Sequence, residues 1–264
     1  MKQLVSLTVA ALVLAACSET TAPTADLSTR YAKPVAAPGI TVSGNLTSQM
    51  FDFEDGGFEV AGGPFFAVDD LTSGGFSASA PNVVAAWNNS TRFIGRVDNH
   101  AIFLVVPAET AGTVYSLDFD LYIIGSWDGQ GKQAQQGRFG QDLWRLSIRC
   151  GSLNSAPAQV LLETDFSNQM TVQQSYPLKA SQQAGNKAGQ GAFNIGGLGF
   201  INDPSVHTPQ FRSFADASYN MNFKGSNPCA AGQNLIFAFV VPHAGLQSNY
   251  DESWGLDNVM IKTD

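Results

Sequence analysis

The chain has 264 residues, with 14 Lys+Arg against 22 Asp+Glu and a formal net charge of −8. An acidic chain without a basic run has no electrostatic footprint for nucleic acid and little hold on anionic lipid headgroups. Only 14% of residues are charged, while Gly numbers 26 and Phe 18, a composition that suits short strands joined by tight turns. The chain opens on Lys2 and an apolar run, Leu4 to Leu14. That run is too short to span a bilayer and reads as a secretory signal.

Leu14-Ala15-Ala16-Cys17 closes the run. It resembles a bacterial lipobox, which implies a diacylglycerol on the Cys17 thiol and cleavage just before it. The alternative is an ordinary signal peptide that ends at a Cys. The resulting plan is a signal peptide over 1–16, a lipid-anchored tether over 17–39 and a folded domain over 40–264. The tether is rich in Ser, Thr, Ala and Pro and has one aromatic residue, Tyr31. As a flexible coil it reaches about 25 Å. Ser18 after the lipidated Cys favours an outer membrane under the usual sorting of such lipoproteins, with the domain facing periplasm or cell surface.

Past the tether, strands are read by alternation. Tyr115, Leu117, Phe119, Leu121 and Ile123 share one face, and Ser116, Asp118 and Asp120 the other. Trp144, Leu146, Ile148 and Cys150 alternate with Arg145, Ser147 and Arg149. Tyr219, Met221 and Phe223 alternate with Asn220, Asn222 and Lys224. Leu235–Val241 is apolar on both faces, as a central strand would be. Further strands are predicted at Phe65–Val68, Phe93–Val97, Ala101–Val106, Val160–Thr164 and Trp254–Lys262, and a long Gly/Gln/Asn-rich loop at Ser181–Gly199. No long segment shows a helical period. The chain therefore predicts an all-β, two-sheet antiparallel β-sandwich.

With Cys17 given to lipid, Cys150 and Cys229 remain, an even pair in an exported protein. A disulfide is the default; two buried free thiols are the alternative. The bridge would close about 80 residues, a loop on which the chain-entropy model sets about 4–5 kcal/mol.

Phe51-Asp52-Phe53-Glu54-Asp55-Gly56 and Asp251-Glu252-Ser253-Trp254-Gly255-Leu256-Asp257-Asn258-Val259 stand near the two ends of the domain. Between them come Phe119 to Gly129, Gly140 to Trp144, Thr164 to Asn168 and Gln174 to Pro177. Together these motifs resemble bacterial jelly-roll modules of concanavalin-A-like, MAM-like and carbohydrate-binding type. The resemblance implies a jelly roll and says little about function. It also implies a structural Ca²⁺ shared by a Glu of the first strand and an Asp of the last, here Glu54 and Asp257, with Asp52 and Asp251 as secondary ligands. Hard carboxylates from chain-distant strands suit such an ion. The alternation of β residues changes phase at Asp257-Asn258, as at a bulge. A bulge whose carboxylate caps backbone N–H groups without metal is the competing reading.

Trp127 and Asp128, after the strongest strand, and Trp87 in a polar context are candidate ligand residues, each Trp as a platform for a sugar ring. Against this stands the ordinary burial of Trp. The Glu-x-Asp-x-x-Glu pattern of concanavalin-like glycosidases is broken here, since Asn168 follows Glu163 and Asp165. Nucleophile-elbow, zinc-protease and haem motifs are absent from the sequence. The expectation is a non-enzymatic lipoprotein acting as an accessory subunit of a membrane-associated complex, with a glycan-binding module at the cell surface as the alternative and a glycoside-active enzyme as the second. Its partners are then the membrane, through lipid, and a protein or a glycan.

Overall fold

The structure is a computed structural model. It describes residues 47–59, 63–69, 82–107, 112–130, 142–182, 185–206, 214–242, 246 and 250–264. The signal peptide, Cys17, Ser18 and the tether lie outside the described residues.

Among the described residues twelve strands run in order: β1 (Thr47–Phe51), β2 (Phe65–Asp69), β3 (Val83–Ala85), β4 (Arg92–Val97), β5 (Ala101–Val106), β6 (Val114–Gly125), β7 (Leu143–Cys150), β8 (Gln159–Asp165), β9 (Asn194–Ile195), β10 (Asp216–Ser226), β11 (Leu235–Val240) and β12 (Glu252–Thr263). They form two antiparallel sheets. The larger has the order β3-β4-β12-β6-β10-β9, with β1 also paired to β12; the smaller has the order β2-β5-β11-β7-β8. The all-β sandwich expected from alternation is thus present.

The core lies between the sheets because alternate residues of each strand point there. Leu117, Phe119 and Leu121 of β6, Tyr219 of β10 and Trp254 of β12 meet Trp144 of β7 and Phe237 and Phe239 of β11. Strands β5 and β11 are buried on both faces, as the continuous apolar run of Leu235–Val240 requires. A further apolar cluster, including Phe93, Tyr122, Leu198 and Phe200, lies on the outer side of the large sheet. There the segment around 196–206 crosses the sheet, held by Asp216, whose carboxylate accepts from the N–H groups of Leu198 and Phe200 at 3.1 Å each. The expected loop at 181–199 therefore contains a short strand, β9, paired with β10.

Cys150 and Cys229 form a disulfide that ties the end of β7 to the connection between β10 and β11. That connection crosses from the large sheet to the small one, so the bridge also links the sheets.

Candidate functional site

In the middle of β12, the register against β6 shifts between Asp257 and Met260, and Asn258 takes a positive φ of 49°. The predicted bulge is present. It turns Asp257 toward the turn between β3 and β4. Glu54 arrives from the opposite direction, in the turn after β1 and not within a first strand as its motif suggested. The Thr91 hydroxyl lies 2.7 Å from Glu54 Oε1 and 2.8 Å from Asp257 Oδ2. The Tyr122 hydroxyl donates to Asp257 Oδ2 at 2.8 Å, the Arg92 N–H to Glu54 Oε1 at 3.0 Å and the Asn258 N–H to Asp257 Oδ1 at 2.8 Å. So the two carboxylates singled out by the motifs do converge.

Proton counting makes this cluster unusual. One hydroxyl hydrogen on Thr91 cannot serve both carboxylate oxygens. One of the two short oxygen–oxygen contacts needs a further proton or a cation. Burial pushes the carboxyl of Asp257 above its ordinary range, against the lowering effect of its donors. The exposed Glu54 is held below its range by the Thr91 hydroxyl and the Arg92 N–H. A set of two carboxylates and a hydroxyl is hard-oxygen chemistry of the kind that suits Ca²⁺.

The secondary ligands expected there lie elsewhere. Asp52 is exposed and its Oδ1 accepts from the Glu54 N–H at 3.3 Å, which closes its own turn. Asp251 accepts from the Ser126 hydroxyl at 2.6 Å, beside a different group of acids.

Of that second group the sequence singled out Asp128 alone, as a ligand residue beside Trp127, and not the cluster. Carboxyl oxygens of Asp128, Asp142 and Glu252 all lie within 4.8 Å of one another. Asp142 and Glu252 share a hydrogen bond, which requires a proton between them, and burial followed by Glu252 pushes the Asp142 carboxyl well above its ordinary range. Asp142 Oδ2 also accepts from the Asp128 N–H at 2.6 Å. The Asp128 carboxyl is pushed up to about 6 by burial and by Asp251; the side-chain amide of Gln169 donates to it. Phase explains the placement. Asp142 and Glu252 each stand two residues before a core tryptophan, Trp144 and Trp254, whose rings are 6.3 Å apart. Residues two apart on a strand share a face, so both acids point inward above the Trp pair. Acids in phase with an apolar face were the signal available in the sequence.

The spacing of these acids approaches that of a retaining glycosidase pair, about 5 Å. Yet Asp142 is 2% exposed and Glu252 1%, so a saccharide cannot reach them. Glu163 accepts from Arg145 Nε at 2.6 Å, and Asp165 accepts from the N–H and hydroxyl of Ser175 at 2.7 and 2.6 Å. His207 and His243 lie outside the described residues.

The expected ligand tryptophans separate cleanly. Trp127 is fully buried, its Nε1 donating to the Ser253 carbonyl at 2.9 Å, and its ring packs on Phe166. It cannot be a platform: the bulky ring closes the end of the core. Trp87 is 46% exposed. Beside it, Asn88 donates through Nδ2 to the Gly197 carbonyl at 2.8 Å and through its backbone N–H to the Leu198 carbonyl at 3.2 Å. This stitches the Trp87 turn to the segment that carries Phe193, Ile195 and Ile201, which are 58%, 50% and 57% exposed. Trp87 thus stands at the β3–β4 edge of the large sheet, while Phe193 and Ile195 stand at and beside β9 on the opposite edge, with the segment that carries Ile201 crossing between them.

No helix of the described residues is long and apolar enough to cross a membrane. No protein-family model matches the chain, and no curated protein does. Among solved structures, the K1 cleaved adhesin domain of Lys-gingipain from Porphyromonas gingivalis W83 is similar at 11% identity, over 84% of this chain and 99% of that one, with a TM-score of 0.25. So slight a similarity carries no function across.

Proposed function

We propose that this chain is an exported, lipid-anchored, non-catalytic β-sandwich that serves as an accessory subunit of a membrane-associated complex. It docks a protein partner through the exposed apolar side chains of the segment at and after β9, Phe193, Ile195 and Ile201. The observation that carries this reading is the succession of half-exposed large apolar side chains, Phe193, Ile195 and Ile201, along one short segment. Large apolar residues exposed together mark interaction sites more often than they occur by chance. The test is co-purification of the full chain from membranes. Phe193→Glu with Ile195→Glu should release a stoichiometric partner while leaving the fold intact; unchanged association would contradict the reading.

The same chain would hold Ca²⁺ through Glu54, Asp257 and Thr91, clipping the exit of β1 to the bulge of β12. The ion would supply the positive charge that the shared Thr91 hydroxyl lacks.

A second reading, glycan binding, is favoured by the exposed polar side chains on the outer face of the large sheet, where Asn220, Asn222 and Asn258 all reach solvent.

A further inference from the structure

The large sheet ends in an open edge. β10 runs 11 residues, and its pairing with β6 is unbroken from Asp216↔Ile124 to Ser226↔Val114. On its other side β9 pairs only with Ala217 and Ser218, and β9 is the last strand of that sheet among the described residues. The Ser218 and Asp216 carbonyls accept from the N–H groups of Phe193 and Gly196, at 2.9 Å each. Backbone groups alternate sides along a strand, so the even-numbered residues of β10 turn theirs to this edge. Past β9, the exposed Asn220, Asn222 and Lys224 therefore present N–H and C=O groups outward. A long, straight edge is a template for another strand, and natural proteins often blunt one with a bulge or a Pro. Residues 219–226 carry neither.

The side chains say which strand fits. Lys224 of β10 and Lys262 of β12 flank Ser116 of β6 in one row across the outer face. In the next row the Asn222 amide donates to Asp118. A row of positive charge thus lies beside a row of negative charge. A two-fold axis reverses the strand, so it can set the lysine row of one copy against the aspartate row of another. An axis at Lys224 would put the two lysines face to face, a destabilising pair. An axis at Phe223 puts Lys224 opposite Asn222 of the second copy, one strand away from that copy's Asp118. On the inner face the same axis puts Phe223 against its own counterpart. Phe223 is only half-buried, although it stacks on Phe119 with centroids 6.1 Å apart. Its backbone groups point to β6, so the two rings form a non-hydrogen-bonded pair, the kind in which side chains come closest.

We infer that two copies of this chain pair antiparallel through the open edge of β10, about a two-fold axis at Phe223, and join their large sheets into one. The hydrogen bonds come from Asn222 and Lys224 of each copy, the register from charge and the half-buried ring. A contact of this length is smaller than a standard stable interface. Anchoring of both copies in one membrane, on the lipobox reading, raises their effective concentration.

The test is disulfide trapping in the full-length chain on its membrane, under mild oxidation. A non-hydrogen-bonded pair has Cα atoms about 4.5 Å apart, within disulfide reach. Phe223→Cys should therefore run at twice the chain's mass without reductant. The exposed pair Asn222→Cys with Lys224→Cys, which leaves the core alone, should be trapped as well. Asn220→Cys, far from its counterpart in this register, should stay single. In the Phe223→Cys background, Lys224→Glu should slow trapping at least about tenfold, since like charges across an interface are costly, and adding Asp118→Lys should restore it. No trapped dimer from either cysteine variant, or equal trapping of Asn220→Cys, would overturn the pairing. A slowed rate that the charge swap does not restore would overturn the register. A trapped product of another mass would give the edge to a different protein's strand and overturn the second copy as occupant.

Discussion

Asp142 and Glu252 show how a single residue's phase along a strand sets its chemistry. Each shares the inward face with a tryptophan, so the pair is dry, and a dry pair keeps a proton. The carboxyl of Asp142, like that of Asp128, titrates above its unfolded value. Such a group supports the fold fully below its unfolded pKa and loses that contribution as pH rises through its folded pKa. For Asp128 the window runs from 3.8 to about 6, and the window of Asp142 likewise opens upward from its unfolded value. Thermal melts should therefore show a lower midpoint at pH 8 than at pH 5. Asp142→Asn should flatten that slope, because an amide keeps the bond from the Asp128 N–H without needing a proton; an unchanged slope would count against the shared proton. The Glu54–Thr91–Asp257 cluster makes the opposite demand, for positive charge. Calcium at about 100 times its Kd should raise the midpoint by about 5–10 °C, chelation should reverse it, and Thr91→Val with Asp257→Asn should abolish the response. Of these residues, Glu54 and Asp257 were legible from their motifs. Asp142 and Glu252 were not, because an acid at a strand end reads as the start of a loop until the face it shares is known. The two tryptophans were equally opaque: alternation gives a side chain's face but not what covers it.

At the level of elements, every strand with a clear two-residue period was found where alternation placed it; β6, β7 and β12 ran slightly longer than read, and β10 extended from Tyr219–Lys224 to Asp216–Ser226. The misses were β1, at Thr47–Phe51 where the motif had put the first strand at Phe51–Gly56, and β3 and β9, of three and two residues, too short to carry a period. β9 forms because Asp216 holds the neighbouring segment against the sheet, a tertiary cause that local sequence cannot reveal. The exit of β6 depends on Gly125, which has φ 89° and whose added Cβ would sit 1.8 Å from the Asp251 carbonyl oxygen. Gly125→Ala should cost at least about 2 kcal/mol in denaturant melts, and it should disturb the nearby acids first. The Cys150–Cys229 bridge closes a 79-residue separation between sheets. Replacing both with Ala should cost about 4 kcal/mol on the chain-entropy model; a loss below about 1 kcal/mol would mean that the unfolded chain is little constrained by it.

The whole molecule joins a rigid sandwich to an N-terminal segment whose expected chemistry is attachment. Cys17→Ser should move the protein from the membrane fraction to the soluble one if the lipobox is read correctly. An anchor suits a part that works by being held in place beside a partner, and the apolar β9 side offers the surface for it. A photo-cross-linking amino acid placed at Ile195 in the full-length chain, in intact cells, tests this most directly. The account predicts a discrete cross-linked protein of fixed mass from position 195 and none from Val160, an exposed residue on the far edge of the other sheet. Equal labelling from both positions, or none from position 195, would contradict it.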